Sequence, residues 1–262
     1  MSSGEHPDLV RRVWRIFYKR YRFLRNATRD GRERLDLWIH KRKGGTYLTW
    51  YARRLDRYAV ATTITDEKLS QHLADRGEGD LVLLQRFGLM PHHYLHEIGL
   101  GHGRSARWII DYLEAGHYSG NDPSAGRLDH AREYFHASGV AGKNPTIICN
   151  TDNQMDWLPH KVDYVFCNHV FTHMPHEDIE DVFANIHKMM RDDALFLFTY
   201  SEAPDRSDYQ EGVKDWLHNM NFYREIADMV GLSISDETAA MRELSDVAIV
   251  HEHTRLICAR RG

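Results

Sequence analysis

Three glycines at alternate positions, between an apolar run and a helical pattern, constrain this chain more than any other feature. The apolar run ends in an acid, Glu97, and the glycines are Gly99, Gly101 and Gly103. Glycine has no Cβ, so the backbone can turn sharply and approach a ligand closely. The helix that follows offers unpaired N–H groups to a polar or anionic group. The stretch therefore predicts a strand, a tight turn and a helix, with a ligand at the turn.

The spacing of these glycines differs from that of the dinucleotide-binding fingerprint. In G-x-G-x-x-G a pyrophosphate sits on the helix start, whereas here the third glycine comes one residue early. The run Glu97-Ile-Gly-Leu-Gly-His-Gly103 resembles the first motif of class I S-adenosylmethionine-dependent methyltransferases. In that family the glycine loop passes under the methionine part of the cofactor. The resemblance implies that Glu97, Gly99, Gly101 and Gly103 bind the cofactor; an ordinary strand-to-helix turn is the alternative.

An acid also ends the second predicted strand, which runs from Gly116 to Asp122. A carboxylate at this point can accept hydrogen bonds from both hydroxyls of a ribose, and Asp122 matches the ribose-binding acid of the family. The alternative is a helix N-cap, because Asp before Pro-Ser is good capping chemistry. After the third strand (145–150) the family has an acid or amide facing the adenine amino group. Asp152 matches that position best, and Asn153 is second.

Two further landmarks follow in the order expected for the family. The fourth predicted strand, 162–168, leads into Val-Phe-Thr-His-Met-Pro and a helix, and the fifth strand is 194–200. Asn168, where the fourth strand ends, is included among the cofactor-binding residues that the resemblance implies. The family usually has Lys-Pro-Gly-Gly before the fifth strand, and this chain has Arg191-Asp-Asp-Ala194. We interpret that departure as a change in a loop away from the cofactor.

The resemblance implies an α/β fold, with a Rossmann-like, doubly wound and mostly parallel seven-stranded sheet whose last strand is antiparallel. Residues 91–262 are predicted to form the S-adenosylmethionine-binding domain, and 1–90 a basic helical extension or lid. In the extension, 48–58 has the spacing of a helix, and Thr65 is a plausible N-cap of another. After the fifth strand a helix is predicted over 216–230. The final strands are predicted to begin at Leu232 and Thr254.

Charge is distributed unevenly along the chain. The net charge is −4, yet 11–57 contains sixteen Lys or Arg and four acids, so this segment carries +12 and the rest −16. Within 9–25 apolar and aromatic residues form one helical stripe beside arginines. Such a helix can lie on an anionic membrane surface. Packing on the body, or a homodimer contact, is the alternative. Tyr47, Trp50 and Tyr51 are candidate lid aromatics, with core packing as the equal alternative.

Methyl transfer to a hydroxyl needs aligned reactants and is helped by a general base. Histidine suits that role near neutral pH, and His169 and His173 follow the fourth strand, beside the expected cofactor site. His173 is our first candidate for the base and His169 the second; a packing role for His173 is the alternative. Tyr200 and Glu202, after the fifth strand, are further candidates.

Other classes of function fit the sequence less well. No His-Glu-x-x-His or paired-cysteine spacing indicates a metal, and Cys149, Cys167 and Cys258 are interpreted as buried thiols in a reducing compartment. No run of eighteen apolar residues and no signal peptide is present, which predicts a cytoplasmic protein, with peripheral membrane attachment as a variant. DNA methylation is not expected, because the Asn/Asp-Pro-Pro-Tyr/Phe run is absent after the fourth strand.

The sequence therefore predicts a methyltransferase acting on a hydroxyl or amine of a small molecule or a sugar or glycan precursor. The competing hypotheses are a non-catalytic methyltransferase-like binding protein, an RNA methyltransferase that uses the basic segment, and a nicotinamide-dependent oxidoreductase. The last would need the wider glycine spacing, which this chain lacks.

Overall fold

The computed structural model of the protein describes residues 30–60, 77–203, 215–244 and 253–262. The chain divides into two compact units, Met1–Thr46 and Tyr47–Gly262. The functional boundary that the sequence predicts, between residues 90 and 91, does not coincide with this structural division and stays a prediction. The helix predicted over 9–25 and the one predicted to start at Thr65 lie outside the described residues.

The described part of the first unit is a helix, α1, over residues 30–42. Gly44 follows it with a φ of 84°, a left-handed conformation that suits glycine after a helix end. Leu35, Trp38 and Ile39 on this helix are exposed to solvent. Sequence periodicity did not single out this apolar group.

The second unit alternates helices and strands. The helices among its described residues are α2 (Tyr47–Ala59), α3 (Gly77–Arg86), α4 (Ala106–Tyr112), α5 (Ala125–Ala137), α6 (His176–Met189), α7 (Met220–Met229) and α8 (Thr238–Arg242). Its strands are β1 (Leu95–Ile98), β2 (Tyr118–Asp122), β3 (Thr146–Cys149), β4 (Val162–Cys167), β5 (Met190–Ser201), β6 (Leu232–Asp236) and β7 (Thr254–Arg261). Two 3₁₀ turns, Val140–Lys143 and Phe171–His173, lie between them.

The strands form one seven-stranded sheet in the order β3-β2-β1-β4-β5-β7-β6. The pairs from β3 to β5 are parallel, and β7 runs antiparallel to both β5 and β6. The predicted fold is confirmed, including the antiparallel last strand. The order reverses between β1 and β4, and ligands of such sheets bind outside the carboxyl ends of the strands at this reversal.

Both faces of the sheet are covered. On one face, Val182, Phe183 and Ile186 of α6 and Tyr223 and Ile226 of α7 are fully or almost fully buried. On the other, the buried side chains of α4 and α5 include Ile109, Ile110, Leu128 and Phe135. Burial on both faces explains why the central strands have continuous apolar runs.

Three sequence predictions about local structure are wrong. The segment starting at Arg191 is not a loop, because β5 begins at Met190, directly after α6, with a register shift against β4. The helix predicted from Trp216 begins at Met220, since the Asn219 side chain caps it by accepting the N–H of Asn221. Cys149 is exposed, because β3 is an edge strand; the other two cysteines are buried as predicted.

Candidate active site

A cavity of about 350 Å³ opens at the reversal of strand order, outside the carboxyl ends of β1, β2, β3 and β4. The loops after these strands form most of its wall, and α2 supplies the rest. The cavity is lined by Leu48, Tyr51, Leu55, Glu97, Ile98, Gly99, Leu100, Gly101, His102, Arg104, Ser105, Asn121, Asp122, Pro123, Arg127, Asn150, Asn153, Asn168, His169, Val170, His173 and Met174. It therefore collects the residues of four separate sequence landmarks.

The glycine loop has the backbone that its spacing predicts. Gly99, Gly101 and Gly103 have φ values of 72°, 58° and 85°. A Cβ on Gly99 would lie 2.4 Å from Val170 Cγ2, and one on Gly103 would lie 2.6 Å from Phe135 Cε1. A Cβ on Gly101 would meet nothing closer than 4.0 Å. Two of the glycines therefore allow tight packing, whereas Gly101 leaves its backbone open to the cavity.

Glu97 is buried at the end of β1. The Tyr118 hydroxyl donates to Glu97 Oε2 at 2.6 Å. Removal of the carboxylate from water raises the pKa of Glu97 to about 7, and the Tyr118 hydrogen bond only partly opposes this effect. Glu97 consequently lies at the cavity with an acid–base equilibrium near neutral pH.

Asp122 joins the end of β2 to the glycine loop. Its Oδ2 accepts the Gly101 N–H at 3.0 Å, and its Oδ1 accepts the Ser124 N–H at 2.9 Å. Burial raises the pKa of Asp122, while Arg127 and the two N–H groups lower it. Ser124, rather than Asp122, is the N-cap of α5, because its side chain accepts the Arg127 N–H. The capping alternative for Asp122 is therefore wrong.

The two candidates for the adenine contact occupy different positions. Asn150 Oδ1 accepts the N–H groups of both Asp152 and Asn153, and this turn points the two side chains apart. Asn153 is buried, has a φ of 56° and lines the cavity. Asp152 is exposed, does not line the cavity, and accepts the Gln154 N–H. The geometry thus favours Asn153 over Asp152, the reverse of the order given by the sequence.

Asn168 belongs to a hydrogen-bond chain that crosses the site. Its Nδ2 donates to Asp80 Oδ1 at 3.0 Å, and its Oδ1 accepts the Thr199 hydroxyl at 2.9 Å. Asp80, on α3, also accepts from Ser105 and from Arg104. This series of hydrogen bonds fixes the Asn168 amide and connects α3 to both the glycine loop and β4. Sequence analysis missed Asp80, because its partners are distant in the chain and no motif includes it.

The helix α2 forms the remaining wall. Leu48, Tyr51 and Leu55 face the cavity, and burial raises the pKa of Tyr51 to about 12. Asp56 Oδ1 accepts the Ser124 hydroxyl at 2.7 Å and the Gly126 N–H at 3.1 Å. This carboxylate at the start of α5 complements the helix dipole and fastens α2 to the body. Of the candidate lid aromatics, Tyr51 lines the cavity, and Tyr47 and Trp50 are core residues.

The structure brings two of the four catalytic candidates to the cavity. His169, with a φ of 56°, and His173 both line it. The Thr199 hydroxyl accepts the His169 N–H at 2.8 Å, which holds this strained backbone. Tyr200 is buried, packs on Tyr223 with ring centroids 4.6 Å apart, and is not part of the cavity wall.

His173 ends the 3₁₀ turn after β4, with its ring against α2. Its Nδ1 lies 3.0 Å from Asp215 Oδ1, and its ring stacks on Tyr51 at a centroid distance of 6.0 Å. Glu202, a further candidate, instead forms an ion pair with Arg255. The site thus places a histidine–carboxylate pair beside a loop suited to a nucleoside-like ligand.

Two further properties concern the described residues alone. No group of three or more His, Cys, Asp or Glu side chains among them is arranged to hold a metal ion. None of the helices in the described ranges is long and apolar enough to cross a membrane.

Comparisons with known proteins agree with this geometry. Residues 96–196 match a family described as a methyltransferase domain. No curated protein matches the chain. Among solved structures, the chain is similar to magnesium protoporphyrin IX methyltransferase from Synechocystis PCC 6803 with bound S-adenosylmethionine. That match has 20% identity and a TM-score of 0.53, and it covers 76% of this chain and 84% of the other.

Two other solved structures show the same fold. The glycopeptide N-methyltransferase MtfA, complexed with S-adenosylmethionine, is 12% identical with a TM-score of 0.57, over 72% of this chain and 95% of the other. DhpI, in complex with S-adenosylhomocysteine, is 16% identical with a TM-score of 0.52, over 82% and 96%. The predicted resemblance to class I S-adenosylmethionine-dependent methyltransferases is confirmed.

Proposed function

We propose that this protein is an S-adenosylmethionine-dependent methyltransferase that acts on a hydroxyl or amine of a small molecule or a sugar or glycan precursor. The observation that carries the proposal is the contact between the Asp122 carboxylate and the Gly101 N–H, at 3.0 Å, in the wall of the cavity. This contact joins the glycine loop and the acid after β2, the two landmarks of a nucleoside site, in one rigid unit.

The residues present fit the cofactor. A cavity of about 350 Å³ is within the usual range for small-molecule sites. Gly101 exposes its backbone to the cavity, which allows close approach of a ligand. Each Asp122 oxygen has a second lone pair beyond the one used by a backbone N–H, so the carboxylate can still accept from ribose hydroxyls. The residues that line the cavity can therefore make the contacts that the proposed cofactor requires.

The proposed roles follow the position of each side chain. Gly99, Gly101 and Gly103 shape the loop beneath the methionine part, and Glu97 presents its carboxyl there. Asp122 binds the ribose and the buried Asn153 contacts the adenine. When bound, the cofactor supplies an activated methyl group. The protein's own task is then to align the acceptor and remove its proton.

His173 is the proposed base. It lies in the cavity wall between the loop after β4 and α2, and Asp215 contacts its Nδ1. A neutral imidazole whose Nδ1 carries the hydrogen has its lone pair on Nε2, and Nε2 can take a proton from an acceptor hydroxyl. His169 is the second candidate, and Tyr200 is disfavoured because its side chain is in the core.

The walls beside His173 suggest the character of the acceptor. Leu48, Tyr51 and Leu55 of α2, with Val170 and Met174 after β4, make this part of the cavity largely apolar. Such walls suit a planar ring or the apolar face of a sugar, which agrees with an acceptor that is a small molecule. The similar structures include a magnesium protoporphyrin IX methyltransferase and a glycopeptide N-methyltransferase.

Calorimetry tests the proposal. S-adenosylhomocysteine and NAD are each titrated into the purified protein; the first should bind and the second should not. A mass-spectrometric screen of hydroxylated and amino acceptors then detects methylated products. Binding of NAD alone would overturn the proposal, and binding of S-adenosylhomocysteine without turnover of any acceptor would favour a non-catalytic role.

The predicted partners other than the acceptor remain proposals. Anionic membrane contact through residues 9–25, a homodimer and a cytoplasmic location concern a segment or a state that the described residues do not contain. Sedimentation with anionic vesicles at low and high salt tests the first, since the attraction of basic residues to such a surface is salt-sensitive.

A further inference from the structure

A short segment, residues 215–218, holds the 3₁₀ turn Phe171–His173 in place. This segment comes after β5 in the sequence. The Trp216 N–H donates to the Thr172 carbonyl at 2.7 Å, and His218 Nε2 donates to the Phe171 carbonyl at 2.9 Å. The same segment joins the end of the sheet, because His218 pairs with Glu202 in a parallel bridge. Hydrogen bonds therefore connect the turn to residues 215–218, which we call the clamp segment, and through this segment to the end of the sheet.

The helix α2 holds the turn from the other side. The Tyr47 hydroxyl donates to the His173 carbonyl at 2.9 Å. The Tyr47 ring packs edge-on against Trp216, with centroids 5.0 Å apart. With its backbone fastened at three consecutive residues, His173 can vary only in its side-chain torsions.

Asp215 restricts those torsions and determines the tautomer. Its Oδ1 lies 3.0 Å from His173 Nδ1. An ionised carboxylate only accepts hydrogen bonds, so Nδ1 must carry the hydrogen. In the neutral ring the lone pair is then on Nε2, while the ring stacks on Tyr51 at the cavity wall.

We propose that Asp215 is a positioning residue for His173: it holds the ring with Nε2 available to the acceptor and stabilises the imidazolium that forms. The step is a proton transfer, in which the acceptor hydroxyl proton moves to Nε2 and its electron pair stays on the acceptor oxygen. The charge that results on the ring is adjacent to the Asp215 carboxylate. This inference rests on the proposed function for its catalytic meaning, but the pairing itself can be tested without an acceptor.

Other groups near the ring do not replace this carboxylate. The charged and titratable groups around the turn include Tyr47, Tyr51 and Arg54 on α2, Arg127 on α5, Asp178 on α6, and Asp215 and His218 in the clamp segment. Burial raises the pKa values of both tyrosines and lowers that of His218 to about 4, so all three are neutral near pH 7. The Asp215 carboxylate, in contrast, lies 3.0 Å from Nδ1 of the His173 ring.

The test is a ¹⁵N NMR titration of the full chain labelled at histidine, with the His173 signals assigned by comparison with His173→Gln. In the unmodified protein the neutral ring should show the tautomer with hydrogen on Nδ1. Asp215→Asn should weaken the preference for this tautomer, because the neutral amide can either accept a hydrogen bond from Nδ1 or donate one to it. Asp215→Glu should restore part of the preference. Asp192→Asn, which removes an exposed acid paired with Arg261, is the matched control and should change nothing.

Two results would overturn the inference: hydrogen on Nε2 in the unmodified protein, or an unchanged ratio of the two tautomers in a folded Asp215→Asn variant. The first is read from the unmodified protein alone, so it decides the question even if the variant fails to fold. Once an acceptor is known, Asp215→Asn should reduce kcat at least tenfold. The affinity for S-adenosylhomocysteine should stay within twofold. If that ligand does not bind the unmodified protein, the proposed function fails. If the ligand binds but the tautomer of His173 does not depend on Asp215, only the role of Asp215 fails.

Discussion

Asp122 Oδ2 accepts the backbone N–H of Gly101 at 3.0 Å, so the acid after β2 and the middle glycine of the loop after β1 are directly bonded. The other carboxylate oxygen accepts the Ser124 N–H at the entry to α5. One buried side chain thus sets the relative position of three segments that line the cavity.

We expect Asp122→Ala to weaken S-adenosylhomocysteine binding by about 1–3 kcal/mol, the cost of losing hydrogen bonds to a charged acceptor. Asp122→Asn keeps one acceptor oxygen and should lie between the two. Calorimetry measures the affinities. Asn219→Ala is the control, because it removes the N-cap of α7, away from the cavity wall, and should lower the melting temperature with little effect on affinity. Equal affinity in Asp122→Ala and the unmodified protein would exclude a ribose contact.

We expect Gly101→Ala to reduce cofactor affinity at least tenfold while the protein stays folded. A Cβ there meets no protein atom nearer than 4.0 Å, so it occupies the cavity rather than the core. The positive φ adds a strain of about 1 kcal/mol. Gly116→Ala is the matched control, since Gly116 has a φ of 81° with nothing within 4 Å and is not in the cavity wall.

We expect substitution of the third glycine of the loop, Gly103, to affect stability rather than ligand binding. Gly103→Ala should mainly destabilise the fold, because the new Cβ would lie 2.6 Å from Phe135 in the core. Thermal melts and calorimetry on the three variants together separate strain, packing and ligand contact. Loss of affinity in Gly116→Ala equal to that in Gly101→Ala would show that the loop acts only through stability.

The raised pKa of Glu97 leads to a pH-dependent prediction. Because burial raises it to about 7 from 4.5, the folded protein binds this proton more tightly than the unfolded chain. Its contribution to stability is fully present below about pH 4.5 and is lost as pH rises through 7. Glu97→Gln should therefore be more stable than the unmodified protein at pH 8 by about 1–3 kcal/mol, and no more stable at pH 4.5. Denaturant titrations at both pH values measure this; an equal difference at both would show that Glu97 is not protonated in the fold.

Much of the fold could be predicted because the signals were local. The apolar runs of the central strands, the glycine spacing and Gly231 after α7 each specify their own backbone, and together they indicated the sheet and the position of the cavity. The start of β5 could not be predicted in this way. Met190 pairs with Val162 of β4, but the register then shifts, so the polar residues that follow Met190 fall in an irregular part of the strand, where Arg191 contacts Asp163 at 2.6 Å.

The candidate site likewise contains residues that local sequence patterns predict and residues that they do not. Asp122 could be found because it ends the second predicted strand, about twenty residues after the glycines. The sequence favours Asp152 over Asn153 for the adenine contact, because it does not show which side chain a turn around Asn150 points inward. Asp56, Asp80 and Asp215 were missed altogether, since their partners are 24 to 88 residues away or lie across the sheet in other elements. Tyr200 follows the right strand but faces the core.

The last prediction concerns the attachment of α2. Asp56 accepts the Ser124 hydroxyl and the Gly126 N–H at the start of α5, and α2 carries three residues of the cavity wall. Asp56→Ala should therefore lower the melting temperature and weaken S-adenosylhomocysteine binding together, because the wall loses its fastening. At equal ligand concentration the ligand should therefore raise the melting temperature of the variant less than that of the unmodified protein, because the stabilisation by a ligand grows with its affinity. Asp36→Ala, on α1, is the control acid and should leave affinity unchanged. Unaltered affinity and hydrogen exchange of α2 in Asp56→Ala would show that the helix is held by its apolar face alone.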